Sequence, residues 1–211
     1  MQTTYLNGLP VSWEKTNFRL TDDELGVITN NEYYLPKNNH LTRTSFLLKD
    51  TRLSRVRNFL DERMKNYTEN VVEIEDKFIL TNSWSTITKK GEQHHVHNHP
   101  NSIFSLVFYV SSEGKKSGNL VFEFDPCRLE ERWHFNFRVK KYNQFNSNTW
   151  EWEVETGDLV IFPSWMQHKT RENIADNDRI IIGANYFVNG TLGTTKNVDK
   201  IGIKVGDLED D

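Results

Sequence analysis

Residues 83–110 read SWSTITKKGEQHHVHNHPNSIFSLVFYV, and they set four of the chain's seven histidines, His94, His95, His97 and His99, between two stretches with the character of β-strands. On the near side Phe78, Leu80, Asn82, Trp84, Thr86 and Thr88 recur with a period of two and share one strand face. On the far side Ile103–Val110 is built from aromatic and β-branched residues that suit a half-buried strand. Histidines two apart at a strand end point to the same side, so His97 and His99 can converge on one ion, as can His95 and His97. Such a pair by itself is weak evidence, because polar strand ends carry histidines for no chemical purpose. A metal site would need a third ligand from a distant strand.

Working outward, further strands are expected over Asn119–Phe124, Phe135–Gln144, Thr149–Val154, Asp158–Phe162 and Arg179–Val188. Turn residues separate them: Gly118, Asn146–Asn148, Gly157 and Asn177–Asp178. Upstream, Thr21 and Glu24 have the spacing of a capping box and open a short helix near Leu25 and Ile28. From Asp50, a helix-start residue, Leu53, Val56, Leu60, Met64 and Tyr67 recur at intervals of three and four. The pattern predicts one or two N-terminal helices packed on an antiparallel sheet, with two sheets face to face as in a jelly roll. A chain of 211 residues closes one core, so 1–211 is read as a single domain, with 78–193 as the β core and 1–77 as its support.

Composition narrows the functional classes. With 27% charged residues and a mean hydropathy of −0.69, no stretch approaches the roughly 20 apolar residues of a membrane span. The start MQTTYLNGLP has no leader pattern, and Cys127 stands alone, so the reading is a cytoplasmic protein without an internal disulfide. A net charge of −4 offers no general attraction for nucleic acid. The basic residues Arg52, Arg55, Arg57, Arg63 and Lys65 alternate with Asp50, Asp61 and Glu62, as on a solvated helix face. Arg128, Arg132, Arg138, Lys140 and Lys141 form a less balanced cluster. Exposed sheet edges would suit a homodimer.

Residues 157–170, GDLVIFPSWMQHKT, place His168 just past a buried strand that Pro163 ends abruptly, where it can reach back across a barrel mouth. Imidazole is a common ligand for iron and zinc, and its second nitrogen is usually held by an acceptor, a role open to Asn98, Asn101 or Gln167. Arg179 opens the run IIIGANYF and would point into the sheet interior, where a lone charge is costly unless it meets an anion. A dicarboxylate would supply one. The competing reading is an edge residue paired with Asp176 or Asp178.

The segments 83–110, GDLVIFPSWMQHKTREN (157–173) and DRIIIGANYFVNGTLG (178–193), in that order, resemble the 2-oxoglutarate-Fe(II) oxygenase family with bacterial and tailed-phage members. The resemblance spans roughly Asn82 to Gly193 and implies a double-stranded β-helix, cupin-like and jelly-rolled. It implies Fe(II) as metal, 2-oxoglutarate as cosubstrate, and molecular oxygen as a further partner. His97 and His168 would be iron ligands, and Arg179 would clamp the far carboxylate of 2-oxoglutarate. His99 stands where better-known relatives have Asp, which makes a three-histidine set of lower negative charge. Ile181 stands where many relatives have Ser. Tyr109 would donate its hydroxyl to the cosubstrate, Asn82 and Trp84 would line the pocket, and Asn185 matches the family's Phe-Asn position. Trp165 could wall the mouth, and the spare carboxylates Glu123 and Asp125 are not read as ligands.

The function implied is a hydroxylase that couples decarboxylation of 2-oxoglutarate to succinate with C–H oxidation of an unidentified small or peptidyl substrate. Two alternatives stand beside it: a cupin-like three-histidine enzyme that does not use 2-oxoglutarate, and a non-catalytic structural module with a degenerate barrel.

Overall fold

The alternating run of the sequence forms a long strand, β4 (Phe78–Thr88), and the Arg179–Val188 segment forms another, β10, antiparallel to it. The computed structural model describes residues 8–36, 38–123, 138–143, 146–193 and 200–206. Around this pair lie β1 (Ser12–Lys15), β2 (Tyr33–Tyr34), β3 (His40–Thr42), β5 (Phe104–Ser111), β6 (Leu120–Glu123), β7 (Thr149–Trp152), β8 (Asp158–Pro163) and β9 (Gln167–Thr170). One seven-stranded sheet runs β1-β8-β5-β10-β4-β3-β2, and a three-stranded sheet runs β7-β6-β9. A separate hairpin joins β11 (Gly190–Leu192) to β12 (Ile201–Ile203). The strand expected over Phe135–Gln144 is not formed by its described residues, 138–143, and its remaining positions lie outside the described residues.

Alternation of side chains gives the large sheet two apolar faces. The outer face carries Phe104, Leu106, Phe108, Leu159, Ile161, Ile182, Ala184 and Tyr186, packed against helices α1 (Asp22–Thr29) and α2 (Ser54–Asn66). The capping box closes α1 as its spacing predicts: Glu24 N–H donates to Thr21 Oγ1 at 3.2 Å, and Thr21 N–H donates to Glu24 Oε2 at 2.8 Å. Asp50 caps a single 3₁₀ turn, Thr51–Leu53, that leads into α2. Leu53, Val56, Leu60, Met64 and Tyr67 are all buried.

The inner face carries Val107, Tyr109, Val160, Phe162 and Ile181, which meet Leu120, Phe122 and Trp152 of the small sheet. Two facing sheets joined in this way are a jelly roll, with helices on its back. One expectation needs correction. Phe78 and Leu80 do not share a face with Asn82, Trp84, Thr86 and Thr88, because pairing with β10 slips between Asn185 and Tyr186, leaving Thr81 as an extra residue. That bulge reverses the alternation, so Phe78 and Leu80 pack on the helix side. No helix among the described residues is long and apolar enough to cross a membrane.

The turn before β6 fixes a backbone carbonyl that the site uses. Gly118 has φ +85°, and a Cβ there would lie 2.2 Å from the backbone oxygen of Arg171. Gly118→Ala is expected to lower unfolding stability by at least about 2 kcal/mol, since backbone strain and a backbone clash add. Gly8, with open space around it, supplies the control. Urea denaturation checks this: the Gly118→Ala midpoint falls while Gly8→Ala stays at wild type, and an unshifted Gly118→Ala curve contradicts the packing described.

Candidate metal centre

The histidine run does not hang free: it docks along β9 by backbone hydrogen bonds. His97 N–H donates to His168 O at 3.0 Å and His168 N–H returns to His97 O at 2.9 Å. Farther along, His99 N–H donates to Ser164 O at 2.9 Å, His94 N–H donates to Thr170 Oγ1 at 2.9 Å, and Thr170 N–H donates to His94 O at 3.2 Å. The segment therefore extends the small sheet by one irregular strand. Residues about seventy positions apart thus become neighbours. Ring centroids lie 4.2 Å apart for His97 and His168, and 5.0 Å apart for His99 with either. One nitrogen from each of the three rings lies within 4.8 Å of the other two.

Electrostatics favour metal binding by these rings. Burial lowers the pKa of His168 well below the ordinary imidazole range, and the neighbouring His97 lowers it further. His99 falls to about 3 for the same two causes in the same order. His99 and His168 are therefore neutral at physiological pH, and each keeps a lone pair. Nδ1 of His97 lies 2.9 Å from His95 O, and Nδ1 of His168 lies 3.0 Å from Met166 O. A carbonyl can only accept, so these contacts put the proton on Nδ1 and turn Nε2 out as the donor atom. The donor set fits a first-row divalent ion. The holding acceptors are backbone carbonyls, and the expected roles of Asn98, Asn101 and Gln167 are not seen.

The cavity beside the three rings is walled by Trp84, Thr86, Thr88, Val107, Tyr109 and Arg179, among others. Arg179 is 2% exposed, and Asp176, one of its imagined surface partners, is held instead by Lys90 at 2.6 Å. Its Nη1 donates to the carbonyls of Ser117 at 2.6 Å and Gly118 at 3.1 Å, and its Nη2 to Thr88 Oγ1 at 3.1 Å and Thr170 Oγ1 at 2.8 Å. All four acceptors are neutral. The guanidinium is held rigidly while its charge stays uncompensated, and burial lowers its pKa. Tyr109, fully buried, has its phenol pushed up by burial and stays protonated, able to donate.

The two asparagines sit one row farther along the same inner face. Asn82 and Asn185 are register partners, and Ser105 Oγ donates to Asn185 Oδ1 at 2.7 Å within a hydroxyl chain that includes Ser164. Neither lines the cavity described above. Trp165 is 49% exposed beside the turn that carries Ser164, and Glu123 pairs with Lys169. Asp125 and Cys127 lie outside the described residues. Sequence reasoning missed Thr86, Thr88, Thr170 and His94 as cavity residues. The period-two pattern that put Thr86 and Thr88 on Trp84's face was the available signal. Nothing in the sequence signals the docking of His94 on Thr170.

The chain matches a protein family described as "Putative 2OG-Fe(II) oxygenase" over residues 82–185. No curated protein sequence matches it. HygX from Streptomyces hygroscopicus, solved with nickel and 2-oxoglutarate, superposes with a TM-score of 0.59 at 13% identity, covering 84% of this chain and 82% of that one. SnoK, a non-heme α-ketoglutarate-dependent carbocyclase from nogalamycin biosynthesis, gives 0.59 at 10% identity over 87% and 81%. An oxidoreductase of the 2OG-Fe(II) oxygenase family from Burkholderia pseudomallei gives 0.53 at 13% over 76% and 74%. At such identities these likenesses show a shared fold.

Trp84 packs flat on Gly183, where a Cβ would lie 2.5 Å from indole Cε2 and Cζ2, and its ring lies 5.2 Å from that of His99. Gly183→Ala is therefore expected to cost about 1–3 kcal/mol by overpacking. Trp84→Leu in the same background should recover at least about 1 kcal/mol of that cost, because the two residues are in contact. A double-mutant cycle by urea denaturation checks the coupling, and strictly additive losses contradict it.

Proposed function

We propose, from the premise that the chain belongs through residues 82–185 to the 2OG-Fe(II) oxygenase family, that His97, His99 and His168 hold Fe(II) and that Arg179 and Tyr109 hold 2-oxoglutarate beside it. The observation that carries the cosubstrate assignment is Arg179: a buried cation whose four Nη partners are neutral oxygens. A dicarboxylate is the kind of ligand that neutralises it. Bound by the three imidazoles, Fe(II) supplies the redox chemistry that couples oxidative decarboxylation of 2-oxoglutarate to succinate with hydroxylation of a substrate C–H bond.

The protein's own contribution is geometry. The carbonyls of His95 and Met166 hold the Nδ1 protons of His97 and His168, keeping one tautomer and one ring orientation. Ser117, Gly118, Thr88 and Thr170 fix the guanidinium before any ligand arrives, so little ordering remains to be done on binding. Val107, Leu120 and Ile181 line the cavity with apolar surface, which limits water around the reacting groups. A three-histidine enzyme that ignores 2-oxoglutarate would leave the Arg179 charge without a purpose. A purely structural module would have no use for three imidazoles gathered within reach of one ion, two of them with Nδ1 held by a backbone carbonyl.

Anaerobic titration with Fe(II) and 2-oxoglutarate tests this reading. Wild type is expected to develop a visible metal-to-ligand charge-transfer band that saturates at one equivalent, and His168→Ala to develop none. Arg179→Met should need at least about tenfold more 2-oxoglutarate for half-saturation, the effect of losing a charged partner. The reading fails if wild type gives no band, or if Arg179→Met saturates like wild type.

A further inference from the structure

Five described residues carry a buried side-chain nitrogen or oxygen without a hydrogen-bond partner: Asn39, Arg63, Thr86, Asn119 and Asp158. Only Thr86 among them also lines the cavity that holds the three imidazoles and Arg179. Thr86 is 2% exposed and sits in the middle of β4, between Leu41 of β3 and Ile181 of β10. Valine would fill that place at the same volume without burying a hydroxyl. An orphaned hydroxyl costs about 1–3 kcal/mol, so one facing a ligand cavity points to a partner that arrives with the ligand.

Its neighbours identify that partner. Thr88, the next residue on the same face, is register partner to Arg179 and accepts from its Nη2. Thr86, Ile181 and Tyr109 form the adjoining cross-strand row. Because both Nη atoms of Arg179 are already committed to protein oxygens, the guanidinium supplies charge more than free hydrogen-bond donors. An anion drawn there needs donors from the walls. Tyr109 offers one on one side of Ile181, and Thr86 offers the other.

We infer that Thr86 is a further cosubstrate-binding residue, whose hydroxyl donates to a carboxylate oxygen of the dicarboxylate held at Arg179. This rests on the reading of the cavity as a 2-oxoglutarate site. Ile181, directly opposite Thr86, leaves its own strand without a hydroxyl at this level, and the donor comes from the strand alongside.

The test compares Thr86→Val and Thr86→Ser with wild type and Arg179→Met, using 2-oxoglutarate as probe. Its readouts are the charge-transfer titration, calorimetric binding to Zn(II)-loaded protein, and the melting temperature of ligand-free protein. Thr86→Val is expected to weaken 2-oxoglutarate binding about tenfold while its ligand-free melting temperature stays level or rises, since only an unsatisfied group is lost. Thr86→Ser keeps the hydroxyl and should bind within about threefold of wild type. If wild type and Arg179→Met behave as proposed but Thr86→Val binds like wild type, this inference falls and the functional reading stands. It falls as well if Thr86→Val melts lower without ligand and Thr86→Ser binds no better, the pattern of a structural hydroxyl. Failure of wild type to bind 2-oxoglutarate overturns both.

Discussion

The structure depends on one short backbone pairing, the reciprocal hydrogen bonds between His97 and His168. It is a single bridge, yet it decides the chemistry, because it brings together segments that the chain separates by four described strands and their connections. Each bond alone contributes modestly, about 1 kcal/mol in a typical fold. Their weight lies in position. His99 and His94 are tied by the same docking to Ser164 and Thr170, so the whole imidazole segment is anchored to β9 and the turn before it. The rigid floor beneath is the inner face of the large sheet, closed on its back by α1 and α2.

The cavity's charge follows from what it lacks. Among the described residues lining it there is no carboxylate, while it holds a buried guanidinium and four imidazoles. With a divalent ion added, such a cavity would be strongly electropositive, and the proposed dicarboxylate, able to chelate the metal and reach Arg179, would suit it. The neutral protein oxygens around Arg179 fix its plane without discharging it. Tyr109 and Thr86 line the same cavity, and the Thr86 hydroxyl has no hydrogen-bond partner there. A short diacid with a chelating end satisfies every one of these demands at once.

Much of this was legible in the sequence. Period-two alternation foretold β4, β-branched and aromatic residues foretold β5 and β10, the capping box foretold α1, and the three-and-four spacing foretold the buried face of α2. Arg179 could be read as buried because a charge opens an apolar strand, and that is where it lies. Other features depend on contacts that no local pattern carries. The bulge at Thr81 reverses which side Phe78 and Leu80 face, and nothing in their own spacing marks it. β9 is only four residues long and polar, so it looks like a loop until β6 pairs with it. The acceptors that orient His97 and His168 are main-chain carbonyls, which every residue has, so no residue type announces them. Thr86 and Thr88 had the right face, but their relation to Arg179 is a matter of register across two strands.

X-ray absorption on the metal-loaded protein tests the central claim most directly, because it counts the nitrogens around the ion without reference to turnover. With Zn(II) as probe, the account predicts a first shell containing three imidazoles at about 2.0–2.1 Å, reduced by one in His168→Ala. A shell with fewer than two imidazoles, or one that the His168→Ala substitution leaves unchanged, would contradict it.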